Sequence, residues 1–278
     1  MAAGLLMIAG GTAAGVFGSL LGLGGGILIV PLLTLGFGLP LREAVGVSLV
    51  SVIATSGASA GVYLERHVAN LRLGMTLELF TALGALGGAL IAFLIPDRAL
   101  AGLFAALLVY VALSMIRSGL RRGAPDEGLA ADVPVVELGN DDPQASTIIR
   151  LSGPGYRVRN LGPAVGGSLF AGVVSALLGV GGGIIKVPVM HLVMGVPLRV
   201  ATATSNLMIG VTASASAIIY LLRGEIDPLV AGPTVLGVFV GATIGSRSAH
   251  RVDVRVLRLL FVVVVLYTAW QMTGRALG

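Results

Sequence analysis

The sequence predicts an all-α polytopic membrane protein made of two homologous halves. Each half reads as a glycine-broken first segment plus three transmembrane helices, and the halves are expected to be inverted repeats. Three observations carry this. Hydrophobic residues make up 56% of the 278 positions and charged residues 11%, against about 25% charge in a soluble domain; the mean hydropathy is +0.99. The charges gather in short clusters between apolar runs of about 20 residues, the length that crosses a bilayer as helix. The short alternating segments of a membrane barrel are absent. Finally, the run Gly22-Leu23-Gly24-Gly25-Gly26-Ile27-Leu28-Ile29-Val30-Pro31 returns as Gly179-Val180-Gly181-Gly182-Gly183-Ile184-Ile185-Lys186-Val187-Pro188.

The apolar segments fall at about 4–38, 43–64, 73–95 and 99–117, then at about 160–195, 200–222, 229–246 and 256–273. Between them only 119–158 is long and polar, with Asp126, Glu127, Asp132, Glu137, Asp141 and Asp142. The chain therefore divides into a first repeat at 1–118, a linker at 119–158 and a second repeat at 159–278. The two glycine runs lie 157 positions apart, 179 minus 22. At the same offset Pro40 matches Pro197, Arg42 matches Arg199, Ser48 matches Ser205 and Thr55 matches Thr212. Further along, Tyr63 matches Tyr220, Gly84-Ala85 matches Gly241-Ala242 and Tyr110 matches Tyr267. A register held without a gap over about 100 residues indicates internal duplication. The 42 glycines read as close helix packing through small residues.

The first segment of each half sets the topology. Residues 4–38 as one straight helix would span about 50 Å, overshooting a hydrocarbon core of about 30 Å. The segment is either tilted and kinked at its glycines or folded back as a hairpin with its tip there. Loop charges favour the hairpin. The loop after the third element holds Asp97 and Arg98 in one half, but Arg247, His250, Arg251, Arg255 and Arg258 in the other. The loop after the second element has the reverse bias, with Arg66, His67 and Arg72 against Arg223, Glu225 and Asp227. Opposite bias at equivalent loops is what inversion produces under the positive-inside rule. It puts Arg66, Arg72, Arg117, Arg121, Arg122, Arg247, Arg251, Arg255 and Arg258 in the cytoplasm with the linker. Eight parallel spans are the alternative.

Composition also excludes function classes. The chain has no cysteine, hence no thiol chemistry, and a net charge of +5. Arginines at helix ends account for that charge, so no nucleic-acid partner is expected. The opening residues Met1-Ala2-Ala3-Gly4-Leu5-Leu6 lack the basic stretch of a signal peptide and are read as mature protein. No hydrolase elbow, zincin motif or P-loop is present. His67, His191 and His250 have no metal-ligand spacing. No enzyme activity, metal or cofactor is expected.

The candidate chemistry lies at the glycine runs. Consecutive glycines inside an apolar segment free backbone N–H groups, and a half-helix that follows points its positive end at them. Gly24, Gly25, Gly26, Gly181, Gly182 and Gly183 are therefore candidate anion ligands, with small-residue packing as the alternative. Lys186 stands three residues past the second triplet, where the first half has Ile29. A lysine at such depth costs about 2.5–3.5 kcal/mol, which an anionic substrate would offset; snorkelling to the interface is the other reading. Ser48, Ser205, Asn206, Thr55 and Thr212 offer hydroxyls and an amide for oxyanion coordination, or for interhelical bonds. Glu78, opposite Val235 in the repeat, is a coupling candidate or an interfacial carboxylate near Arg72. His191 is a second coupling candidate.

The paired runs, each followed by Gly-x-Pro-Leu-Arg (Gly38 to Arg42, Gly195 to Arg199), resemble the TauE/SafE sulfite-exporter family, in which such a motif heads each of two homologous halves. The resemblance covers the chain outside the linker. It implies secondary transport of small sulfur-containing anions, namely sulfite, sulfoacetate or related organosulfonates, by a multi-pass protein of the inner (plasma) membrane. An anion channel on the same scaffold and an intramembrane enzyme are the rival readings. The expected partners are a small anion and the lipid bilayer, with a homodimer as an open alternative to a single copy.

Overall fold

The computed structural model describes residues 2–21, 24–65, 69–120, 151–152, 156–248 and 254–277. Gly22, most of the linker, Arg66, His67, Arg121, Arg122, His250 and Arg251 lie outside the described residues, as do the side chains of Arg255 and Arg258. Within them the chain is helical, in the order α1 (Ala2–Leu21), α2 (Gly26–Pro31), α3 (Leu41–Glu65), α4 (Leu71–Ala92), α5 (Asp97–Leu120), α6 (Leu161–Leu178), α7 (Gly183–Pro188), α8 (Leu198–Leu222), α9 (Pro228–Ser248) and α10 (Val254–Leu277). Eight of these, all but α2 and α7, are long and apolar enough to cross a membrane. Leu94, Leu222, Leu229 and Trp270 stand exposed on the outside, as lipid-facing side chains do.

The short helices α2 and α7 are products of their sequence at both ends. Each begins after glycines in the left-handed region, with φ 76° and 73° at Gly24 and Gly25 and φ 79° and 74° at Gly181 and Gly182. A side chain there would clash with its own backbone, so glycine is required. Each ends in a proline, Pro31 or Pro188, and continues as a wider π-helical turn, Leu32–Gly36 or Val189–Val193. Proline has no N–H for the carbonyl four residues back and its ring crowds that carbonyl, so the ladder shifts register.

At the breaks the chain reverses. A Cβ on Gly18 would strike the Gly25 backbone, and one on Gly10 would lie 2.8 Å from Leu32. Thus α2 runs back along α1. In the second hairpin a Cβ on Gly182 would lie 3.3 Å from Ser175, and one on Gly167 2.9 Å from Val189, so α7 runs back along α6. The fold-back, rather than the kink, is the form each long first segment takes.

Glycine also sets which helices meet. Gly11 and Gly15 of α1 press on the backbone of Thr234 and Val238, while Gly237 and Gly241 of α9 press on Ile8 and Thr12. In the same way Gly84 and Gly88 of α4 press on Leu169 and Val173, and Gly172 of α6 presses on Thr81. Each first helix therefore packs on a helix from the other half of the chain. In lipid, where burial offers little driving force between helices, such backbone approach is the main source of cohesion. Helices α3 and α8 cross at the centre, and α5 packs on α10.

Two ends of the bundle can be told apart. At one end, Arg42 at the start of α3 donates to the Ile95 carbonyl at 2.7 Å and pairs with Asp97 at 3.2 Å. Gly46 lies against the Glu225 carbonyl at the same end, and Arg275 donates to Thr34 at 2.7 Å. At the other end, Asn70 caps α4 through Leu73 N–H and donates to Leu151 O and Tyr156 Oη, while its own N–H donates to Thr204.

Candidate functional site at the meeting of two glycine breaks

The two breaks touch each other. A Cβ on Gly26 would run into the Gly179 carbonyl. Ser48 of α3 donates its hydroxyl to that same carbonyl at 2.7 Å and lies 3.3 Å from Gly26 O. The opening between the tips is filled by Val52 of α3 and Ile209 of α8, equivalent residues at the 157 offset, 209 minus 52. A Cβ on Gly24 would lie 3.4 Å from Ile209 and 3.7 Å from Val52; one on Gly181 would lie 2.5 Å and 2.8 Å from them. The six candidate glycines are thus gathered at one place, closed by two aliphatic side chains. Neither Val52 nor Ile209 was singled out in the sequence, because an aliphatic residue in an apolar helix carries no signal of its own.

The two sides of this meeting point differ in polarity. Ser205, at 0% exposure, and Ser175 have hydroxyl oxygens without a hydrogen-bond partner among the described residues. Both adjoin the second break: Ser205 Oγ is 3.4 Å from where a Cβ on Gly183 would be, and Ser175 Cβ is 3.3 Å from that on Gly182. A buried hydroxyl without a partner costs about 1–3 kcal/mol and calls for an explanation. On the other side Ser48 is satisfied, and the position matching Ser175 is Gly18.

Beside the second break lies a buried ion pair. Lys186 of α7, 2% exposed, is bonded to Glu78 of α4, 5% exposed. Thr212 of α8 donates to the other carboxylate oxygen at 2.5 Å and lies 3.4 Å from Lys186 Nζ. A single hydroxyl can serve both, donating to the carboxylate and accepting from the ammonium. Glu78 is therefore in the interior, not at an interface beside Arg72. Among the described residues no group of three His, Cys, Asp or Glu could hold a metal ion.

The other candidates have different surroundings. Thr55 donates to the Ser51 carbonyl at 3.0 Å, one turn back in its own helix. The Asn206 carbonyl accepts from Ser56 at 2.8 Å, and Ser56 Oγ accepts from Gly210 N–H at 3.1 Å, tying α3 to α8. His191 is exposed in the π-helical turn, with Nδ1–H donating to Val196 O at 2.9 Å. A crevice of about 490 Å³ lies outside the first hairpin, lined by apolar residues such as Phe17, Leu28, Pro31 and Val264. Tyr267 and Thr268 are the polar side chains in its lining, which holds no charged residue.

Comparison with known proteins agrees over almost the whole chain. The family model described as "Sulfite exporter TauE/SafE" matches residues 7–272. A protein named "Probable membrane transporter protein YunE" from Bacillus subtilis (strain 168) is 24% identical, over 96% of both chains. A "Probable membrane transporter protein" from Xylella fastidiosa (strain 9a5c) is 26% identical over 96% of this chain and 95% of its own length. One named ORF9 from Sinorhizobium sp is 27% identical over 90% and 85%. No solved structure matches.

Proposed function

This chain belongs to the sulfite exporter TauE/SafE family of membrane transporters, and on that premise we propose that it carries a small sulfur-containing anion, sulfite or an organosulfonate, across the plasma (inner) membrane. The observation that carries the reading is the pair of unpartnered hydroxyls, Ser175 and Ser205, at a backbone break that meets a second break from the other half. Anion oxygens would accept from these hydroxyls and from the N–H groups of Gly181–Gly183 and Gly24–Gly26, a nest of amides without helical partners. Ser48 and Asn206 stand in the next layer, and Lys186 supplies the positive charge once Glu78 releases it. Val52 and Ile209 close the meeting point, which suits the occluded state of a carrier better than a conducting pore.

The halves are read as inverted repeats, each a hairpin plus three crossings. The reversals at Gly18–Gly25 and Gly182–Ser175 support this, as do the matching contacts of α1 on α9 and α6 on α4. Rocking one hairpin–bundle unit against the other would then alternate access. By the positive-inside rule the end bearing Arg72, Arg117 and Arg247 faces the cytoplasm.

The test is uptake of sulfite, sulfate, thiosulfate, sulfoacetate and acetate into proteoliposomes. Saturable flux of a sulfur oxoanion with counter-transport is expected, and acetate is excluded. Flux of none of them, or equal flux of all, would overturn the reading.

A further inference from the structure

We propose that Glu78 is the proton carrier of the transport cycle, giving up Lys186 to the incoming anion and taking a proton in its place. The inference rests on the transport reading above and adds a coupling ion to it.

The pair is placed for such an exchange. Lys186 belongs to α7, the return helix that starts at the second glycine break, whereas Glu78 and Thr212 belong to α4 and α8. The pair therefore spans the junction between a hairpin and the helices beside it. It lies about one helical turn from the break: Ile209 packs on Gly181 and Gly183, and Thr212 is three residues further along the same helix. The matching positions of the other half, Ile29 and Val235, are apolar, so the fold does not need an ion pair there for packing.

Among the described residues no other charge is at hand to compensate either partner. The sequence of α6 has no titratable residue, and α7 has only Lys186. Helix α8 carries Arg199 and Tyr220 near its opposite ends, and the Tyr220 hydroxyl is committed to Ala176 O at 3.0 Å. Arg72 lies in the first turn of α4, and His191 is exposed in the π-helical turn. At the depth of the pair, Lys186 and Glu78 neutralise each other.

Charge balance then dictates coupling. Empty, the site holds an ammonium and a carboxylate and is neutral. Loaded with a monoanion and one proton, it holds an ammonium–anion pair and a neutral carboxylic acid, and is again neutral. With the anion alone, or the proton alone, it carries a net charge in a medium that penalises one heavily. Only the empty and doubly loaded forms can reorient, so one proton moves with each monoanion and the cycle is electroneutral. Thr212 stays as a partner in both forms, donating to the carboxylate or accepting from the acid.

The test uses the purified full chain in vesicles holding a pH-sensitive dye, with inward gradients of methanesulfonate, sulfite, thiosulfate and sulfoacetate and protein-free vesicles as the blank. Acidification of the lumen in step with anion entry is expected, one proton per methanesulfonate, at a rate unmoved by an imposed membrane potential. Glu78→Gln is expected to lose net uptake at least tenfold while retaining exchange of internal for external anion, because its empty form is charged and its loaded form neutral. Anion entry by the wild type without acidification, or accelerated by an inside-positive potential, overturns the coupling and leaves the transport reading intact. If none of the four anions enters, the transport reading itself fails and the coupling goes with it. The wild-type measurements decide the matter even if Glu78→Gln does not fold.

Discussion

Ser48 and Ser205 occupy the same place in the two halves of the sequence, yet only one of them has a bond to lose. Ser48 Oγ donates to Gly179 O, whereas Ser205 Oγ has no partner among the described residues. Ser48→Ala should therefore cost about 1 kcal/mol of stability, read as a lower thermal midpoint in detergent. Ser205→Ala should be neutral or stabilising, because no bond is unmade and a buried unpartnered hydroxyl is removed. The ion pair makes a sharper case. Lys186→Met or Glu78→Gln alone strands a polar or charged partner in the interior, and each should destabilise by about 3–5 kcal/mol. The double variant should recover most of that loss, so a double-mutant cycle in the same assay should show strong coupling. Both residues stood out in the sequence as charges where the other half has Ile29 and Val235. Their pairing did not, because a helix-to-helix contact 108 residues apart is set by packing, which one chain's pattern does not reveal.

At the scale of elements, the hairpins depend on glycine twice over. Gly181 has φ 79°, and a Cβ there would lie 2.5 Å from Ile209. Gly181→Ala should cost about 1 kcal/mol in backbone strain and about 1–3 kcal/mol more in overlap. Removing the struck γ-methyl with Ile209→Ala should relieve much of the second part and leave the first, which a double-mutant cycle of thermal unfolding can separate. The breaks were legible in the sequence as glycine triplets in apolar segments too long to cross once. The π-helical turns after Pro31 and Pro188 were not, since proline announces a disturbed helix without saying which way the ladder will shift.

For the molecule as a whole, the fold class followed from composition, segment length and the doubled run, because a bilayer leaves the backbone few ways to satisfy itself. What the pattern left open was whether the long first segments cross or return. The contacts at Gly18 and Gly182 answer in favour of return. The inverted arrangement built on them makes a topological prediction. Cysteines introduced at Arg98 and Glu225 should react with an impermeant thiol reagent from one side of the membrane, and cysteines at Arg72 and Asn160 from the other. The chain has no native cysteine, so each signal belongs to the introduced site. Reaction of Arg98 and Glu225 positions from opposite sides would rule inversion out.

The central claim is that a sulfur oxoanion is gripped where the two breaks meet, on the side of the free hydroxyls. It is tested most directly by titrating sulfite and methanesulfonate into purified wild-type protein, Ser205→Ala and Ser48→Ala. Loss of a hydrogen bond to a charged ligand is worth about 1.5–3 kcal/mol, so Ser205→Ala should weaken binding about tenfold or more without lowering the thermal midpoint of the unliganded protein. Equal affinity of wild type and Ser205→Ala, with both folded, would contradict the claim.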